Sequence, residues 1–187
     1  MSSSFTFRTN LYSDEVYHDI HFERDRISSK SFFSQGVFVE LGDVPIEGVD
    51  LSHPGVKFLV DYGPTTSPKT ATEHMEEFRT GVESGGYKYA DHINQRENVT
   101  YALRMIAYRL ENGLKPLSAD TTMNEMMFLS LSFDKRIDIT VVFRVISRDE
   151  YGGLTIVWKE LDRRDAPKIK FEKGRALRDF RPEAKGK

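Results

Sequence analysis

Apolar residues recur at every second position from Ile137 through Ile139, Val141 and Phe143 to Val145. This period of two is the signature of a β-strand with one buried face. A lone strand cannot bury that face, so the run commits the chain to a sheet. The flanking sequence supplies neighbours. Met127, Leu129, Leu131 and Phe133 alternate in the same way before a turn at Asp134-Lys135-Arg136. A second turn at Asp149 to Gly153 leads into Leu154, Ile156 and Trp158. Residues 127–158 therefore read as a three-stranded antiparallel meander.

The rest of the chain adds strands and helices. From Phe5 to Ile27 it reads extended, with Val16, His18, Ile20 and Phe22 on one side and Tyr17, Asp19, His21 and Glu23 on the other. Phe32 to Leu41 is a second extended run, with Gly36 expected to mark a bulge or bend. Val56 to Tyr62 is predicted to be a strand between turn residues. Thr70-Ala71-Thr72-Glu73 fits a capping box that opens a helix carrying Met75, Phe78 and Val82, with Ser84-Gly85-Gly86 ending it. A second helix is predicted from about Tyr89 to Glu111, on the stripe Val99, Leu103, Ile106 and Leu110. The expected fold class is α+β: a mostly antiparallel sheet, built from the C-terminal meander and N-terminal strands, covered by two central helices. At 187 residues the chain suits one domain. The expected division is a domain over 1–160 with an extended N-terminal arm, then a basic tail over 161–187.

The charge distribution sets that tail apart. The chain has a formal net charge of −2. Residues 159–187 hold 11 Lys/Arg against 6 Asp/Glu, a balance of +5, and the remaining 16 basic and 23 acidic residues give the body −7. Such tails often meet nucleic acid or an acidic protein surface. This one also carries apolar residues: Ile169 and Phe171 alternate with charges, and Leu177 and Phe180 are one helical turn apart. Ile169, Phe171, Arg175, Leu177, Arg178, Phe180 and Arg181 are therefore the candidate partner-binding residues.

Absences narrow the chemistry. The sequence has no cysteine, which removes disulfides, thiolate nucleophiles and zinc–thiolate sites. It has no signal-peptide pattern, no apolar run long enough to cross a membrane, and no lipidation motif, so a soluble protein of the cytoplasm, or one carried within a virion, is expected. The glycines from Gly81 to Gly86 precede Tyr87-Lys88 and do not make a phosphate-binding loop, which needs Lys directly after the second Gly.

Two clusters offer positive chemistry. His21, Glu23 and Asp25 would share one strand face and suit a divalent metal. Tyr101, Arg104 and Tyr108 would share the outer face of the predicted second helix, with Arg96 beside them, as a surface that stacks bases and holds phosphates. Arg144, Arg148 and Asp149 at a strand end are further ligand candidates.

The leading expectation is a non-catalytic structural or assembly subunit of a larger complex, of viral or phage type, that docks on protein partners or on itself through its termini. No cofactor is expected. A nucleic-acid-binding protein using the tail and the Arg/Tyr face is the second reading, and a divalent-metal-dependent enzyme the third.

Overall fold

The computed structural model describes residues 4–12, 18–23, 25–29, 34–110 and 136–170. The strands, in chain order, are β1 (Ser4–Thr6), β2 (Leu11–Tyr12), β3 (Ile20–Glu23), β4 (Arg26–Ser28) and β5 (Ser34–Gly42). Helices α1 (Pro54–Asp61) and α2 (Pro68–Thr80) follow. Then come β6 (Val82–Ser84), β7 (Tyr87–Ala90), β8 (His92–Asn94), β9 (Thr100–Ala107) and β10 (Arg109–Leu110). The last three are β11 (Ile137–Arg148), β12 (Leu154–Asp165) and β13 (Lys168–Ile169).

These elements stack in three layers of an α+β fold. A five-stranded antiparallel sheet runs in the order β2-β1-β3-β4-β8. A six-stranded antiparallel sheet runs β12-β11-β9-β5-β7-β6. The two pack face to face through Phe5, Phe7, Ile20 and Ile27 on one side and Phe38, Leu103, Val141 and Phe143 on the other. The opposite face of the larger sheet, lined by Val37, Val39, Ala102 and Val142, packs on Val56 and Leu59 of α1 and Phe78 of α2. A sheet covered on both faces has no room for polar alternation, and all eight residues of β9 are buried.

The hairpin predicted around Ile137–Val145 and Leu154–Trp158 is β11–β12, with Val141 facing Glu160 and Phe143 facing Trp158. The other neighbour of β11 is β9. The run at 127–133 lies outside the described residues.

Three sequence expectations are corrected. The stretch from Tyr89 to Glu111 is not a helix: through Leu110 it holds the second half of β7, then β8, β9 and β10. The strand expected at Val56–Tyr62 is helix α1, with Pro54 at its first position and the His53 ring nitrogen Nδ1 accepting from the Gly55 amide at 3.2 Å. Helix α2 begins earlier than the Thr70 box, at Pro68, with Ser67 as its cap. It ends at Gly81, whose φ of 97° is open to glycine. Gly85 and Gly86, at φ 59° and 82°, instead turn the β6–β7 hairpin.

Gly36 also has a different role from the one expected. It sits in regular register opposite Met105, and a Cβ there would lie 1.8 Å from Ser29 Oγ. The glycine lets β5 and the end of the smaller sheet approach closely.

Both ends of the described chain are tied in. Phe5 and Phe7 are buried, and their rings meet Trp158 of β12 at centroid distances of 6.4 and 5.1 Å. Residues 4–8 thus lie in the core rather than reaching away from it. Strand β12 continues past residue 160 to Asp165, and β13 then pairs in parallel with β10.

Candidate functional site

A buried polar cluster lies where α1 ends against the larger sheet. Arg104 projects from β9 and Asp138 from β11, on the helix-covered face. The guanidinium meets the carboxylate at two points and gives further hydrogen bonds from Nη1 to the carbonyls of Leu59 (2.5 Å) and Tyr62 (2.7 Å). Those carbonyls belong to the end of α1, where the helix leaves acceptors unpaired and favours positive charge. A chain of hydrogen bonds runs alongside. The Tyr108 hydroxyl donates to Gln35 Oε1 at 2.9 Å, Gln35 Nε2 donates to the Tyr62 hydroxyl at 3.1 Å, and that hydroxyl pairs with His74 Nδ1 on α2.

Burial keeps the phenols of this cluster protonated. Burial pushes the Tyr62 phenol up to about 12, against a smaller downward pull from its hydrogen bond with Gln35. Burial likewise pushes Tyr108 upward. Both phenols stay protonated at neutral pH, so they act as hydrogen-bond groups and not as bases. The cluster joins α1, α2, β5, β9 and β11.

The expected Arg/Tyr helix face does not form. Tyr101, Arg104 and Tyr108 lie on or just after β9, and all three are buried. The Tyr101 hydroxyl donates to the Asn94 carbonyl at 3.2 Å and accepts from the Arg96 amide at 3.0 Å. Only Arg96 is exposed, and it pairs with Glu40.

The metal candidates separate. His21 Nδ1 is 2.9 Å from Ser4 Oγ, and its Nε2 is 3.9 Å from Glu23. Asp25 turns instead to Arg148. Among the described residues, no group of three or more His, Asp and Glu side chains is placed to hold a metal ion. Asp19, expected beside them, is buried and takes both the Arg8 amide (2.9 Å) and its Nε (2.5 Å). Of the other ligand candidates, Arg144 bonds Asp43, Thr100 and the Val44 carbonyl, and Asp149 accepts from the amides of Tyr151 and Gly153.

At the tail, Ile169 is fully buried beside Ala71, Ile106 and Tyr108. It fastens its own chain instead of presenting itself to a partner. Phe171, Arg175, Leu177, Arg178, Phe180 and Arg181 lie outside the described residues.

The exposed apolar residues were not singled out from the sequence. Leu11 and Tyr12 on β2 are 61% and 75% exposed, and Tyr151 at the β11–β12 turn is 81% exposed. Ile146 and Val157 on the same hairpin are exposed as well. The alternation at Leu154–Trp158 marks a strand, but alternation does not reveal which sheet edge stays open.

No family model matches this sequence, and no curated protein and no solved structure is significantly similar to it. Among the described residues, no helix is long and apolar enough to cross a membrane.

Proposed function

We propose that the chain is a structural or assembly subunit, working by attachment to protein partners or to itself through its terminal regions. The observation that carries this reading is the exposure of Leu11 and Tyr12 on β2, which among the described residues is an edge strand of the N-terminal sheet. The neighbouring aromatic residues Phe5 and Phe7 are buried. An edge strand with apolar side chains facing solvent is a template for strand addition. The C-terminal residues 171–187 add six Lys/Arg against three Asp/Glu, together with Phe171, Leu177 and Phe180. They follow Ile169, the residue that fastens β13 to the body.

The test is native mass spectrometry of the full chain after gentle purification, compared with a variant lacking 171–187 and with Leu11→Ser/Tyr12→Ser. A higher-mass species that is lost in either variant is expected. A monomer with no co-purifying protein, the same in all three, overturns the reading.

A further inference from the structure

Helix α2 stands on two separate apolar clusters. Its end is held by Phe78, which is buried with Val37, Val39 and Leu59 against the larger sheet. The Phe78 carbonyl also accepts from the Asp91 amide at 2.9 Å. The first two turns, residues 68–75, rest on a smaller cluster. There Ala71 is buried with Ile106, Tyr108 and Ile169, and Met75 packs against them. A polar link runs beside it. Tyr108 starts the hydrogen-bond chain through Gln35 and Tyr62 that ends at His74, in the same two turns.

The segment that brings Ile169 into this cluster is slight. Strand β13 is two residues long and, among the described residues, pairs with β10 alone. Lys168 and Lys170 on either side of Ile169 are exposed, and Pro167 has no amide proton to donate. Arg109 holds the near end: its Nε donates to the Ala166 carbonyl at 2.6 Å and its amide to the Pro167 carbonyl at 3.0 Å. At the far end the Lys170 amide donates to the Thr66 carbonyl at 3.0 Å. Thr66 lies one residue before Ser67, the cap of α2.

We propose that residues 166–170 are a strap that opens as a unit with the first two turns of α2, while the sheets and the end of α2 stay closed. Local opening follows cooperative units that have few buried apolar contacts and backbone bonds near the surface. Lifting the strap withdraws Ile169 from beside Ala71 and breaks the Lys170–Thr66 bond at the loop that leads into the helix. Phe78 keeps its neighbours, because none of the residues named in its cluster belongs to the strap. The coupling is reciprocal: whatever loosens the helix start also loosens the strap. A change at the C-terminal strand is thereby felt in the loop between α1 and α2, and opening uncovers Ile106 and Tyr108.

The experiment is hydrogen exchange under native conditions, read by mass spectrometry on the full chain. The variants are Ile169→Ala, the milder Ile169→Val, and Met75→Ala on the facing helix, with circular dichroism to verify folding. In the parent, amides of 68–75 and 168–170 are expected to exchange together and ahead of those of 139–145. Ile169→Ala is expected to speed exchange over 68–75 by about tenfold or more, and Ile169→Val by less, with 76–80 and 139–145 unchanged. Met75→Ala is expected to speed exchange over 168–170 in return. Exchange over 68–75 that ignores both Ile169 variants overturns the coupling, as does exchange over 168–170 that ignores Met75→Ala. Acceleration of 139–145 by the same factor as 68–75 means that the whole fold opens, and overturns the separate unit. Parent exchange as slow over 68–75 as over 139–145 overturns it whether or not the variants fold.

Discussion

Arg104 holds Asp138 by two hydrogen bonds, Nε to Oδ1 at 2.9 Å and Nη2 to Oδ2 at 2.7 Å, with both side chains only 2% exposed. The pair lies diagonally across β9 and β11, and the same guanidinium closes the end of α1. Removing one member leaves the other charged and buried. Arg104→Met or Asp138→Asn is expected to cost about 3–5 kcal/mol in chemical denaturation. Replacing both with apolar residues is expected to cost less than the two single changes together. Strict additivity in that cycle would contradict the coupling described.

The buried phenols predict an alkaline limit. Tyr62 is raised to about 12 and Tyr108 is raised as well, in each case chiefly by burial. A raised folded value favours the protonated fold. The stabilisation is whole below the unfolded value of about 10 and is lost as pH rises through the folded value. Melting temperature should fall between about pH 10 and 12 in step with tyrosinate absorbance, and Tyr62→Phe should soften the fall. A flat profile over that range, with normal tyrosinate titration, argues against the assignment.

Phe7 joins the two sheets, its ring 5.1 Å from Trp158 and 5.8 Å from Phe143. Phe7→Ala is expected to destabilise the fold by about 3–5 kcal/mol and to shift the fluorescence of the single tryptophan toward the solvent-exposed position. Unchanged emission would mean that the interface does not rely on this ring.

Gly36 predicts a backbone effect. A methyl group there collides with Ser29, so Gly36→Ala is expected to destabilise by about 1–3 kcal/mol, and Ser29→Gly in the same chain to restore part of the loss. Thermal melts of the single and double variants decide it.

Ile169 predicts a hinge in protease sensitivity. Ile169→Ala is expected to cost about 2–5 kcal/mol locally and to speed cleavage after Lys168 and Lys170 by trypsin, while cleavage within β9 stays slow. Equal protection in the variant and the parent would show that β13 is held by other contacts.

The β11–β12 hairpin was legible because one face of β11 meets the apolar interface and period two survives in the sequence. Strand β9 was not. Its Ala102, Leu103, Met105 and Ile106 are buried on alternate faces of a doubly covered sheet, so the apolar positions ran together and fitted a helical stripe. A helical period over β9 also places Tyr101, Arg104 and Tyr108 on an outer face, whereas the strand buries them. Helix α1 is obscured for the opposite reason. Its eight residues are too few to separate helix from strand by pattern, although Pro54 behind His53 marked a helix start. The partnership of Arg104 with Asp138 spans 34 positions, and no local motif announces it.

The parallel contact of β10 with β13 carries a consequence for synthesis. Leu110 pairs with Ile169, a residue made 59 positions later. Ribosomes deliver a chain from its N-terminus, so β5 and β9 emerge well before the β11–β12 hairpin that covers the far side of β9. Until Ile169 leaves the exit tunnel, the apolar surface around Tyr108 and Ala71 stays uncovered. A nascent chain stalled before that point would expose the sheet to chaperones and proteases, and closure would wait for Ile169.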